Sequence, residues 1–164
     1  MLELVTGDLL EADTEALVNA VNTEGVMSKG IALQFKRQYP DMFEDYQRAC
    51  KESQVQPGRM HVYERPDLFN PRYIINFPTK RHWRTLSSIE DIKTGLTALS
   101  EEIRQRHIKS IALPALACGN GDLDWREVLP AIRSAPADLT DVRLLVYPPA
   151  GAYVNVHYVP ARAT

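Results

Sequence analysis

The chain has 164 residues, 45% of them hydrophobic and 24% charged, with a formal net charge of −2. That length suits one domain around a single sizeable core, and the near-neutral charge excludes a general nucleic-acid binder, so any attraction for phosphate must be local. The start MLELVTGDLLEAD lacks a basic segment ahead of an apolar run, and no stretch approaches the roughly 18 apolar residues of a membrane span, which reads as a cytoplasmic protein without membrane association.

Leu2 to Thr6 and Ala16 to Val21 read as short apolar strands around the turn-rich GDLLEADTE. From Ser28 a helical pattern runs through KGIALQFKRQYP, where Ile31, Leu33, Phe35 and Tyr39 line one face and Pro40 ends it. Asp41 can cap a second helix, MFEDYQRACKES. Pro57-Gly58 punctuates, RMHVYERP alternates like a partly exposed strand, and RYIINFP reads as a buried one. Ser87 or Ser88 can cap the next helix, in which Ile92, Leu96, Leu99 and Ile103 recur at helical spacing. SIALPAL is a strand, CGNGDLDW a glycine loop, REVLPAIRS a helix that buries Trp125 at its start, and VRLLVYPP a last strand. Alternating strands and helices predict an α/β sheet covered on both faces. Beyond Gly151 the pattern fades, leaving YVNVHYV as an edge strand or the beginning of a linker. Cys50 and Cys118 have no C-x-x-C partner, and His61, His82, His107 and His157 lack ligand spacing, so neither a disulfide, a metal nor a cofactor is expected.

Four irregular segments follow apolar strands: TGDLL, NTEGVMSKG, TKRHWR and ACGNGDLDW. In an open α/β sheet ligands gather at the carboxyl ends of strands, so all four can face one cleft. Gly25 and Gly30 flank one loop, and Gly119 and Gly121 flank another. Such loops next to a helix start can present backbone N–H groups to a diphosphate, or simply turn the chain. Neither matches G-x-G-x-x-G or G-x-x-x-x-G-K-[ST], which disfavours hydride transfer and ATP hydrolysis. Asp8 can accept from an exocyclic amine such as adenine N6, or cap the following turn. Of Asn19 and Asn22, one can bind a sugar hydroxyl and the other tie its loop to itself.

TGDLLEADTEALVNAVN, VNAVNTEGVMSKGIALQFKRQYP, FPTKRHWRTLSSIEDIKTGL and IALPALACGNGDLDW together resemble the macrodomain family, over residues 2 to 148 and in the family's order. Within it the chain is most similar to the DarG-type antitoxin branch, with the terminal ADP-ribose glycohydrolases as the nearest human-type relatives. The resemblance implies a three-layer α/β/α macrodomain with a central mixed sheet over residues 1–155. Residues 156–164 would be a tail or the start of a linker.

The resemblance also implies site residues. Asp8 would contact the adenine amine, with the Leu9 amide placing the ring and Tyr147 walling it. Asn22 would hold the distal ribose. The loop through Gly25, Met27, Gly30 and Ile31 would wrap that ribose and the diphosphate. The second loop, Ala117, Cys118, Gly119, Asn120, Gly121 and Leu123, would bind the diphosphate through backbone amides. Lys80 matches the family's catalytic lysine, which attacks the ribose carbon to form a lysyl–ADP-ribose intermediate. Independent chemistry agrees: an amine can attack an oxocarbenium-like carbon when desolvation or a neighbouring cation keeps it uncharged, and Arg81 and Arg84 are near in sequence.

The branch acts on ADP-ribosylated thymidine in single-stranded DNA. His82, Trp83 and Arg84 would form the nucleic-acid side, an aromatic for stacking among cations for phosphate. Trp83 packing on the sheet while the arginines pair with Glu90 and Asp91 is the alternative arrangement, as is a His82 that orients Lys80. Free ADP-ribose would be the product, and a DarT-like toxin the partner if the chain belongs to a full-length antitoxin; a monomer is expected. Two departures stand out. The human-type relatives carry an aspartate where this chain has Gly121, with Asp122 offset by one, and Ser28 replaces a common glycine. A reader that binds ADP-ribose without cleaving it, and a hydrolase for ADP-ribosyl-glutamate on protein, are the competing functions.

Overall fold

A computed structural model describes residues 1–82, 84–119, 122–152 and 156–162. In chain order the elements are β1 (Leu2–Thr6), β2 (Ala16–Val21), α1 (Gly30–Gln38), α2 (Pro40–Lys51), β3 (His61–Glu64), β4 (Tyr73–Pro78), α3 (Ile89–Gln105), β5 (Ser110–Pro114), α4 (Trp125–Ser134), β6 (Arg143–Tyr147) and β7 (His157–Tyr158). The strands form one mixed sheet in the order β3-β4-β2-β5-β6-β1-β7, with β3 antiparallel to β4 and every other pairing parallel.

Side chains alternate along the strands and so divide the core into two layers. Ala16, Val18, Ile75, Phe77, Ile111, Leu113 and Val146 face α3 and α4. Leu17, Ile74, Ala112 and Leu145 face α1 and α2, where Phe35, Met42 and Tyr46 are fully buried. This period of two, set against helical stripes on both sides, produces the three-layer arrangement. Ser88 caps α3, its side chain accepting from Asp91 N–H at 3.1 Å.

Two details differ from the sequence reading. Pro40 does not merely stop α1; it is the first residue of α2, where a missing N–H costs nothing. Asp41 therefore lies in the first turn of α2, and the cap position falls to Tyr39 without a side-chain bond. Of the two readings of the C-terminal YVNVHYV, edge strand or linker, the described part follows the first: His157 and Tyr158 pair with Val5 and Thr6 as β7. Beyond them Arg162 donates to the carbonyls of Leu10 and Ala12 at 2.7 and 3.0 Å. Satisfying the open edge of β1 is what draws this segment onto the sheet. Among the described residues, no helix is long and apolar enough to cross a membrane.

Candidate functional site

Five neighbouring parallel strands, β4, β2, β5, β6 and β1, end at the same side of the sheet. The loops that follow them meet in one long cleft, the position expected for ligands of such sheets.

At one end lies a cavity of about 530 Å³ lined by Asp8, Leu9, Ile31, Pro114, Ala115 and Tyr147. Asp8 Oδ1 accepts from the Leu10 N–H at 3.0 Å and so caps a short 3-10 turn. Its carboxylate also lines the cavity, so the cap and the ligand roles read from the sequence are compatible. Burial pushes the Tyr147 hydroxyl up to about 12, with the Asp8 charge adding to the shift. That coupling marks the two side chains as neighbours across this end.

Ile31, Pro114 and Ala115 also line the middle of the cleft, a cavity of about 260 Å³ that contains Asn22, Ser28, Lys29, Gly30, Lys80, Ala117, Gly119 and Asp122. Lys80 is half-buried and held from both sides. The Thr79 N–H donates to Val21 O at 2.9 Å, and the Arg81 carbonyl accepts from Thr23 N–H at 3.2 Å and from Thr23 Oγ1 at 2.7 Å. Two clamps to the end of β2 thus fix the backbone on either side of the lysine. Gly30 (φ +61°) opens α1, and Ala117 (φ 58°) stands in the left-handed region that a side chain disfavours. Leu123 N–H closes the Ala117 loop by donating to Ala117 O at 2.8 Å. Asp122 bridges two loops, its carboxylate accepting from the Ser87 N–H at 3.0 and 3.3 Å.

Several expected residues turn away from the cleft. Gly25 is buried at φ +81°, facing Gln47 and Cys50 of α2, and Met27 is 1% exposed in the core. Cys118 and Leu123, expected to act through backbone amides, pack their side chains on the α3–α4 side of the sheet, where burial pushes the Cys118 thiol up to about 11. Asn22 reaches the cavity wall, but its carboxamide is engaged with its own loop. It donates to Val26 O at 2.8 Å and accepts from Glu24 N–H at 2.9 Å and Tyr46 Oη at 3.0 Å. Asn19 points into the core and donates to Asn76 Oδ1 at 3.1 Å.

On the basic loop, Arg81 faces α3 and pairs with Asp91 at 3.1 Å, the bland arrangement foreseen for it. His82 Nδ1 accepts from Arg84 N–H at 3.0 Å, and its Nε2 lies 3.5 Å from Glu24. Arg84 lines an outer cavity that continues from Lys80. Trp83, Asn120 and Gly121 lie outside the described residues. Lys29 and Tyr46 were not anticipated. Lys29 is signalled only by preceding the glycine that opens a helix, and Tyr46 is hidden in the apolar stripe of α2. Among the described residues, no cluster of three His, Cys, Asp or Glu side chains could hold a metal ion.

The Macro domain family model matches residues 18–132. The chain belongs to the macrodomain family. It is 52% identical over 151 residues to a DNA ADP-ribosyl glycohydrolase of Mycobacterium tuberculosis, covering 92% of this chain and 43% of that protein. Superposed on the macrodomain of Thermus aquaticus DarG it gives a TM-score of 0.88 at 53% identity, covering 91% of this chain and 99% of that one. Thermosipho africanus DarTG, solved in complex with ADP-ribose, gives 0.84 at 35% identity, covering 93% of this macrodomain and 43% of that chain. This macrodomain therefore spans less than half the length of the curated M. tuberculosis relative.

Proposed function

We propose that this macrodomain is a glycohydrolase that removes ADP-ribose from thymidine bases of single-stranded DNA, with Lys80 as its nucleophile. One observation carries the reading: a clamped lysine lines a continuous cleft whose far end offers a carboxylate and a tyrosine. A ligand with an amine-bearing base against Asp8 and Tyr147, and a diphosphate along the Gly30 and Ala117 loops, would bring its second ribose to Lys80. The Leu9 amide would align the base, and Asn22, tied by its side chain to the loop, would shape the ribose wall rather than grip the sugar.

The chemistry balances without a cofactor. The lone pair of Lys80 Nζ attacks the ribose C1″ as the bond to the thymine nitrogen breaks, and the base leaves with that electron pair and takes up a proton. Water then adds to C1″, the C–N bond to Lys80 breaks, and ADP-ribose leaves with the amine regenerated. Asp122 accepts from the Ser87 N–H and so ties the loop carrying Lys80 to the Gly119 loop, while its carboxylate also lines the cleft beside Lys80.

The names of the relatives support the substrate. Proteins called DNA ADP-ribosyl glycohydrolases share about half of this sequence, and in one relative a DNA ADP-ribosyl transferase and the glycohydrolase are fused. The partner is accordingly a DarT-like toxin whose mark this enzyme erases, and the setting is the cytoplasm, where the chain acts as a monomer. Residues 156–162 complete the same domain.

Release of ADP-ribose from thymidine-modified single-stranded DNA, wild type against Lys80→Ala, tests the proposal. The expected result is a loss of at least about 1,000-fold in turnover with ADP-ribose affinity retained, since removal of a nucleophile abolishes the covalent route. Wild-type turnover of an ester-linked protein substrate but not of DNA would assign the enzyme to glutamate linkages. Binding without any release would make it a reader.

A further inference from the structure

Past Lys80 the cleft continues into a groove of about 240 Å³ that the ADP-ribose reading leaves unused. Lys29 stands on one side at the cap of α1, with Arg84, Thr85 and Leu86 on the other. Among the described residues neither Lys29 nor Lys80 is in an ion pair, whereas Arg81 pairs with Asp91; Asp122 also lines the groove, its carboxylate accepting from the Ser87 N–H. Leu86 is 76% exposed, a large apolar side chain held at the mouth of a cationic groove. The groove sits above β4, β2 and β5, inner strands of the sheet, so it offers no edge for an extended peptide to pair with. Cations tracking a backbone beside an apolar surface for bases is how single strands are held.

We infer that this groove is a nucleotide subsite, in which Lys29 takes a phosphate flanking the modified thymidine and Leu86 supports a neighbouring base. The inference rests on the proposed glycohydrolase and adds to it a device that selects a strand over an isolated nucleoside. Lys29 and Arg84 supply charge and Leu86 supplies apolar surface, so the strand is gripped without any reading of base edges. The subsite is therefore tolerant of sequence.

The test compares wild type, Lys29→Ala, Lys29→Arg and Leu86→Glu. The first readout is kcat/KM for ADP-ribose release from a short thymidine-modified oligonucleotide and from ADP-ribosyl thymidine. Wild type should prefer the oligonucleotide, Lys29→Ala and Leu86→Glu should lower that preference about tenfold, and Lys29→Arg should restore it. The second is a fluorescence titration of an unmodified thymidine oligonucleotide across salt concentrations. The slope of log K against log salt should become shallower by about 0.7 in Lys29→Ala, one phosphate contact of a single strand. Equal losses on both substrates would place Lys29 on ADP-ribose itself, and an unchanged salt slope would remove the strand from the groove. Preference for an ADP-ribosylated peptide over the oligonucleotide would give the groove to protein instead. Failure of the underlying glycohydrolase looks different: wild type releases ADP-ribose from neither substrate while strand binding still responds to Lys29→Ala.

Discussion

Tyr46 is a buried phenol whose single hydroxyl holds a loop. It lies at 0% exposure and donates toward Asn22 O at 2.8 Å and Asn22 Oδ1 at 3.0 Å. Asn22 in turn holds Glu24 and Val26, so one phenol from α2 sets the shape of the loop leading to Gly30. Tyr46→Phe keeps the ring in the core and removes that bond, leaving a buried carbonyl short of a donor. Stability should fall by about 1–2 kcal/mol in chemical denaturation, and ADP-ribose affinity should fall with it in calorimetry. At the other end of the cleft, the Tyr147 hydroxyl is raised to about 12 by burial first and by the Asp8 carboxylate second. Asp8→Asn removes a like charge, which makes the tyrosinate easier to form, so the midpoint should drop below about 12 in a tyrosinate absorbance titration while burial keeps it above the free value. An unmoved midpoint would separate the two side chains.

Element packing explains why α3 lies where it does. Gly95 falls on the buried stripe of α3, and a Cβ there would sit 2.4 Å from the tip of the Phe77 ring on β4. Phe77 is 0% exposed, so the ring has nowhere to move. A glycine inside a helix ordinarily costs about 1 kcal/mol relative to alanine, yet here Gly95→Ala should destabilise by about 1–3 kcal/mol because overpacking outweighs propensity. The direction of the change in denaturation midpoint decides the matter. Because Phe77 is three residues before Lys80, a shifted α3 should also lower turnover, an effect absent if packing and site are independent.

Across the whole molecule, burial raises the titration of four acids: Cys118 to about 11, Tyr147 to about 12, Cys50, and Tyr46, raised further still by desolvation. For each, the folded value lies above the unfolded one, so the folded state binds a proton that the unfolded state releases. Their contribution is fully present below the unfolded values, near 9 for the thiols and 10 for the phenols, and is lost as pH climbs toward the folded ones. Stability should therefore decline progressively above about pH 9, steepest between roughly 10 and 12, in denaturant melts at fixed ionic strength. Cys118 should accordingly alkylate more slowly than a free thiol near neutrality.

Much of this was legible in the chain itself. The apolar runs that became β1, β2, β4, β5 and β6, the cap at Ser88, and the gathering of Asp8, Gly30, Lys80 and Gly119 at strand ends follow from periodicity and turn chemistry, which are local. The four motifs together pointed to the family because their order and spacing are properties of sequence. What local pattern could not supply was how each polar group spends its bonds. Asn22 looks free to meet a ligand until Tyr46 arrives from α2, and Asp122 gains the Ser87 N–H from a distant loop. Arg81 and Lys29 are both loop cations in sequence, and only packing turns one toward Asp91 and leaves the other facing Lys80. The sequence offers YVNVHYV as an edge strand or a linker, and the open edge of β1 decides for the strand at His157 and Tyr158. Sequence alone determined which elements form and which chemistry they carry, since both depend on neighbours along the chain. Tertiary structure decided which side chains remain available for that chemistry, because hydrogen-bond and charge partners are settled by contacts across the chain.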